Sequence, residues 1–296
     1  MKSGFVSLIG RPNVGKSTLL NTILNKKLAI TSAVSGTTRN IIQGVYNADD
    51  LQIIFVDTPG IHKPQNKLGQ ILNEQAYYSI EDVDVILFLI DVTKKFGTGD
   101  EFILEKIKDI KTPVILVLNK IDKIKYEELL PMIMKYKDLY PFKEIVPVSS
   151  TKHKNIEELI KTISNYLKDD IKYFDDNTTT NVSTSFIISE LIREKVLYRT
   201  HEEIPHSTTC IIDLIEEDNR TVTINASIVV DRENLKKILI GKNGNMIKQI
   251  GIDARHDIEE LLGKKVYLDL RVKVIKNWRD KDSFLNNTLG LNEFNE

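Results

Sequence analysis

Gly10-Arg11-Pro12-Asn13-Val14-Gly15-Lys16-Ser17 stands between an apolar run, Phe5 to Gly10, and a stretch that favours helix. The octapeptide fits GxxxxGK[ST], and in that setting the pattern demands a strand, a tight loop and a helix in succession. Its glycines let successive backbone N–H groups aim at phosphate oxygens. Lys16 neutralises charge on the β- and γ-phosphates, and the Ser17 hydroxyl can ligate Mg2+. Asn13, Val14, Gly15, Lys16, Ser17 and Thr18 are therefore the residues expected around the phosphates.

Four more short runs follow at helix-length intervals: 51–57 (LQIIFVD), 83–91 (VDVILFLID), 113–119 (PVILVLN) and 144–149 (EIVPVS). Near-continuous apolar strands separated by amphipathic segments predict an α/β domain, a mostly parallel sheet with helices on both faces. Such sheets bind ligands beyond the carboxyl ends of their strands, so the loops after each run are where chemistry is expected. The longest run, Val83 to Val92, is about half of the roughly 20 residues that a membrane-spanning helix needs. A single cysteine, Cys210, excludes an internal disulfide and a Cys-rich zinc site, and points to a reducing compartment.

The loops carry matching chemistry. Asp57-Thr58-Pro59-Gly60 places a carboxylate where it can hold the Mg2+ shell and the Gly60 N–H where it can approach a γ-phosphate. Asn119-Lys120-Ile121-Asp122 reads the base: the Asp122 carboxylate can accept from N1–H and the N2 amine of guanine, whereas adenine presents an acceptor at N1. Lys120 can lie along the base plane, and Asn119 can brace the loop or reach N7. Ser149-Ser150-Thr151 either presents N–H groups to guanine O6 or caps a helix. Lys16, Thr38, Asp57 and Gly60 are the expected catalytic set, with Thr38 entering through the resemblance described next.

In order and spacing these motifs resemble those of the TRAFAC GTPases. By that resemblance Gly36-Thr37-Thr38-Arg39 is the switch segment, and Thr38 joins Ser17 and Asp57 at Mg2+, with Thr37 the alternative. Ras-like members place a water-orienting Gln after the DxxG glycine, whereas this chain has Ile61. Asn13 matches an asparagine that ligates K+ in potassium-activated members, which implies slow hydrolysis stimulated by K+.

Between Lys168 and Ser185 periodicity lapses, and 171–184 reads as a linker after a G domain of residues 1–170. The order then changes to helix (186–197), strands (208–217 and 221–230), helices (around 235–239 and 245–262) and strand (265–274). This predicts a smaller α+β domain over 185–280, followed by a polar tail, 281–296. Ile240-Gly241-Lys242-Asn243-Gly244 sets GxxG between the two helices, where the glycines can let the backbone close on nucleic-acid phosphates. From Arg232 to Arg279 there are 12 basic and six acidic residues, a local excess hidden by a whole-chain net charge of -1. A basic field of this kind suits RNA. Lys248, Arg255 and Lys273 join the GxxG segment as candidate RNA contacts. Trp278 is expected to serve packing rather than base stacking.

Taken together, the two halves resemble the Era family of bacterial GTPases, a G domain joined to a C-terminal type II KH domain. The likeness extends through ELIREKVL (190–197), EEIPHS (202–207), ILIGKNGNMIKQIG (238–251) and KVYLDLRVKVIKNWRD (265–280). It implies a GTPase that hydrolyses GTP to GDP and phosphate at a slow intrinsic rate. It also implies binding to the 3′ end of 16S rRNA and assistance in assembly of the 30S ribosomal subunit. The implied location is the cytoplasm, with peripheral association at the inner face of the cell membrane linked to the family, although no amphipathic anchor stands out here. Arg271, Ser150 and Lys154 depart from the family's usual aromatic, Ala and Gly. A constitutive RNA-binding module with a structural G domain is the alternative function, and a small-molecule P-loop kinase is disfavoured by the guanine-selective NKID.

Overall fold

The structure is a computed structural model that describes residues 1–32, 34, 37–61 and 64–291. Gly36 of the switch motif and tail residues 292–296 lie outside the described residues. Two compact units emerge: Met1–Pro64 with Leu72–Asn181, and Gln65–Ile71 with the chain from Val182 onward.

The first unit runs β1 (Lys2–Ile9), α1 (Lys16–Leu24), β2 (Ile42–Ala48), β3 (Leu51–Asp57), α2 (Lys67–Glu81), β4 (Val85–Asp91), α3 (Thr98–Ile107), β5 (Val114–Asn119), α4 (Tyr126–Lys137), β6 (Glu144–Pro147) and α5 (Ile156–Ser164). Its sheet has the order β2-β3-β1-β4-β5-β6. Every pairing is parallel except that of β2 with β3. All seven residues of β4 and all six of β5 are buried, as strands covered on both faces must be. On one face Ile86, Phe88, Ile90, Leu116 and Leu118 meet Ile103 and Ile107 of α3, Ala76 and Ile80 of α2, and Tyr136 of α4. Parallel strands align their carboxyl ends, so the loops after β1, β3, β4, β5 and β6 share one edge of the sheet.

Strand β2 was not among the expected runs. Its sequence, IQGVYNA, carries Gly and Asn and alternates poorly, because it is an outer antiparallel strand whose formation is decided by pairing with β3. The expected linker also behaves differently. Gln52, 1% exposed on β3, donates to Asn47 Oδ1 (2.7 Å) and to the Phe174 carbonyl (2.8 Å), and accepts from the N–H groups of Tyr173 (2.8 Å) and Phe174 (3.0 Å). Further along, the Val45 N–H donates to the Thr179 carbonyl, the Thr180 hydroxyl to the Gln43 carbonyl, and the Gln43 N–H to Asn181 Oδ1. Residues 171–181 are thus a strap over β3 and the outer edge of β2, and the compact unit ends at Asn181 rather than at 170. Covering that edge removes a row of unpaired backbone groups.

In the second unit α6 (Thr184–Arg199) and α7 (Ile204–Ser207) precede β7 (Thr208–Glu217), β8 (Thr221–Val230), α8 (Glu233–Ile240), α9 (Asn245–Leu262), β9 (Lys265–Val274) and α10 (Asp282–Asn287). Strand β8 is central, antiparallel to β7 and parallel to β9. Helix α6 packs on α9 and β7, with ion pairs Arg199–Asp253 and Lys195–Asp257, each at 2.5 Å. Trp278 is fully buried. It donates from Nε1 to the Ser207 carbonyl (3.0 Å) and meets Phe284 edge-on, so it anchors the C-terminal segment. The tail is apolar where it matters, with Phe284, Leu285 and Leu291 buried.

Candidate nucleotide site and RNA-binding groove

Helix α1 begins at Lys16, so its unpaired N–H groups face the loop of residues 10–15, an arrangement suited to phosphate. Lys16 is 6% exposed, and its Nζ donates to the carbonyls of Gly10 (3.1 Å) and Arg11 (3.4 Å). Burial pushes its ammonium down to about 8, opposed by the attraction of Asp57. Asp57 closes β3 fully buried, and burial pushes its carboxyl up to about 6 against the pull of Lys16 and a hydrogen bond from Ser17.

Ser17 Oγ donates to Asp57 Oδ2 at 2.6 Å and lies 2.9 Å from Thr38 Oγ1. Three oxygen ligands of the kind Mg2+ prefers therefore converge. Asp57 Oδ1 is buried without a hydrogen-bond partner, which a cation or its water shell would satisfy. Thr37 instead donates to the Val34 carbonyl (2.6 Å), so of the two threonines Thr38 is the one against Ser17. Gly60 abuts the phosphate loop: a Cβ there would lie 2.9 Å from Pro12 Cα and N. Ile61 is 2% exposed within the apolar cluster under the sheet, so it supplies no polar group to the site.

The guanine end is braced from three loops. Asn119 Nδ2 donates to the Val14 carbonyl (2.9 Å), while its Oδ1 accepts from the Ser150 hydroxyl (2.9 Å) and the N–H groups of Lys120 (2.8 Å) and Ser150 (3.2 Å). Lys120 Nζ reaches the Asn13 carbonyl (2.8 Å) and Asp91 Oδ2 (2.6 Å). Asp91 was missed in the sequence, although an acid closing the buried run VILFLID is a visible signal. Ser149 Oγ donates to Asp122 Oδ1 at 2.5 Å, which holds that carboxyl below its ordinary range and so ionised for guanine. Helix α5 starts at Ile156 with Asn155 before it, so neither Ser149 nor Thr151 caps it. Thr151 is exposed beside the loop, and Val14 is buried. Thr18 lies in the first turn of α1. Asn13 is exposed with φ 66, in the bend of the phosphate loop.

In the second unit α8 and α9 meet at Gly241-Lys242-Asn243-Gly244. Gly241 (φ 73) and Gly244 (φ 75) occupy the region that L side chains avoid. Lys242, Asn243, Lys248 and Arg255 are exposed, and Ile240 is half-buried at the end of α8. Beside the loop, a groove of about 300 Å³ lies between α9 (Ile247, Lys248, Gly251, Ile252, Arg255) and the outer strand β9 (Tyr267, Leu268, Leu270). Its apolar floor and basic rim suit unstacked bases and their phosphates. The sequence reading found Lys248 and Arg255 but missed the floor, whose only signal is apolar residues left exposed on one face of α9. Lys273 is not among the residues that line the groove, and it pairs with Asp213 Oδ1 (2.8 Å).

A family model described as 50S ribosome-binding GTPase matches residues 5–120, and a KH domain model matches 203–279. A solved variant of Aquifex aeolicus Era bound to GDP and aluminium fluoride is 43% identical, with 97% of this chain and 98% of that one covered and a TM-score of 0.94. The chain belongs to the Era family of GTPases. A second Era structure, in complex with MgGDPNP and nucleotides 1506–1542 of 16S ribosomal RNA, matches with the same identity, coverage and TM-score. The fold is accordingly a P-loop GTPase domain followed by a KH domain, and Mg2+ is the cofactor that fits the Ser17–Thr38–Asp57 constellation. Two departures from the Era pattern are absorbed locally. The Ser150 hydroxyl adds a bond to Asn119, and Lys154 closes the guanine loop through main-chain bonds with Ser149 that need no particular side chain.

Proposed function

We propose that this GTPase binds the 3′ end of 16S rRNA in the groove beside Gly241–Gly244 and assists assembly of the 30S subunit, with GTP hydrolysis timing release. The observation that carries the reading is the presence in one chain of an Mg2+-ready guanine-nucleotide site and a basic-rimmed KH groove. Likeness to an Era that holds 16S rRNA supports the choice of RNA.

Hydrolysis by these residues rests on positioning and charge. Lys16 and the N–H groups at the start of α1 would hold the β- and γ-phosphates. The Gly60 N–H would face the γ-phosphate, and Ser17, Thr38 and Asp57 would surround Mg2+. Bound there, Mg2+ neutralises charge developing on the phosphate oxygens. Ile61 offers no group to orient water, so intrinsic turnover is slow. Asn13, at the bend of the phosphate loop, is the proposed K+ ligand, with the cation in place of an arginine finger. We place the protein in the cytoplasm with its RNA. Peripheral contact with the membrane is carried over from the family without a residue assigned to it.

Measuring GTP turnover in K+ and in Na+, for wild type and Asn13→Ala, tests the catalytic half. Faster turnover in K+ that the variant loses is expected. Equal turnover in both salts would remove K+ from the account. Lys16→Ala, tested for RNA affinity with a GTP analogue, should behave as nucleotide-free protein. Indifference to that change would favour a constitutive RNA-binding module.

A further inference from the structure

The phosphate loop is held from two sides. Its later half is fixed through main-chain oxygens, Asn13 by Lys120 Nζ at 2.8 Å and Val14 by Asn119 Nδ2 at 2.9 Å. The corresponding oxygens of its earlier half, on Gly10 and Arg11, are held by Lys16 Nζ. That ammonium is the group required at the β- and γ-phosphates. When Lys16 turns to a nucleotide, its three donors are shared with the phosphates and fewer remain for the earlier half.

The Arg11 side chain offers a replacement. Its Nε lies 2.9 Å from Asp100 Oδ1, and its Nη2 donates to the Lys95 carbonyl at 3.4 Å. The Asp100 side chain is 0% exposed, and its second oxygen accepts from the Gly97 N–H (3.1 Å), which fixes the carboxylate to the start of α3. Neither Arg11 Nε nor Asp100 Oδ1 has an aligned hydrogen-bond partner, so the contact is a charge pair. A carboxylate so buried holds an adjacent guanidinium firmly, because it has little water to turn to.

We propose that Arg11 and Asp100 are a positioning pair: they keep the first half of the phosphate loop docked on α3 while Lys16 is engaged by phosphate. The inference rests on the nucleotide reading of the loop. It assigns work to an ion pair lying outside the phosphate-, metal- and base-contacting residues.

The test is equilibrium binding of fluorescent GDP and a GTP analogue, with guanosine as a competitor that lacks phosphate. The proteins are wild type, Arg11→Gln, Arg11→Lys, Asp100→Asn and the double variant Arg11→Gln/Asp100→Asn. Misplacing phosphate donors should weaken both nucleotides about tenfold in Arg11→Gln and in Asp100→Asn. Guanosine affinity should be unchanged, and Arg11→Lys should recover part of the loss. The double variant should be no weaker than the worse single variant, since the two residues act through one contact. Losses shared equally by guanosine would mean general damage to the fold and overturn the proposal, as would additive losses or unchanged nucleotide affinity. Wild-type protein that failed to bind GDP would refute the nucleotide site itself, and the pair's role with it.

Discussion

Replacing Asp57 by Asn separates the stability of the site from its function. Burial raises the Asp57 carboxyl from 3.8 to about 6. A rise of that size corresponds to about 3 kcal/mol favouring the protonated native state over the ionised one. Because the folded value lies above the unfolded one, this stabilisation is complete below pH 3.8 and is lost as pH rises through about 6. At pH 7 the nucleotide-free protein therefore carries a buried charge that Lys16 and Ser17 compensate only in part. Asp57→Asn should raise its unfolding free energy in EDTA by up to about 3 kcal/mol, a figure that already includes the attraction to Lys16. The same change should weaken Mg2+-dependent GTP-analogue binding by about 100-fold or more, since a carboxylate in a metal shell contributes several kcal/mol. In wild type, Mg2+ binding must displace the Asp57 proton, so apparent Mg2+ affinity should fall about tenfold per pH unit below 6. Urea unfolding in EDTA and Mg2+ titrations from pH 5 to 7.5 measure both effects. A variant that is no more stable without metal, and that keeps the acid loss of Mg2+ affinity, would refute the reasoning.

Three further outcomes follow from close contacts. Gly60→Ala puts a Cβ 2.9 Å from backbone atoms of Pro12, which cannot move aside as a side-chain tip would. The segment must retreat from the γ-phosphate, so GTP-analogue affinity should fall about tenfold while GDP affinity, read in the same titration, changes less. Gly241→Ala combines φ 73 with a Cβ 2.9 Å from the Met246 nitrogen, whereas Gly244→Ala at φ 75 meets open space. The second should cost only about 1 kcal/mol of left-handed strain and the first more, with thermal melting and RNA binding ranking the two variants alike. Gln52→Ala leaves the Tyr173 and Phe174 N–H groups without their acceptor, so urea unfolding should show a loss of about 2–4 kcal/mol, with faster proteolysis within 171–181.

What the sequence made legible was whatever depends on local pattern. Buried parallel strands announce themselves by continuous apolar runs, so β1 and β3 to β6 were readable, and the loop motifs after them fell at one edge of the sheet as strand polarity requires. Strand β2 was hidden because its pairing with β3, rather than its own residues, makes it a strand. The strap has the sequence of a linker because its order comes from the amide of Gln52, more than 100 residues earlier, and from backbone bonds to β2. On the RNA side, GxxG and the basic excess were visible, but the groove floor exists only where α9 meets β9. Arg11 occupies an unspecified position of GxxxxGK[ST], so the motif says nothing of its side chain. Its partner Asp100 lies in the first turn of α3, so no spacing rule connects them.

The central claim is that a nucleotide gates RNA binding. The most direct measurement is the affinity of the full chain for a labelled oligonucleotide from the 3′ end of 16S rRNA, at fixed salt, with GTP analogue, with GDP and without nucleotide. A Gly241→Asp/Gly244→Asp variant serves as control. The account predicts tight binding that strengthens with the GTP analogue and disappears in the control. Equal affinity in all three nucleotide states, or no binding in any, would contradict it.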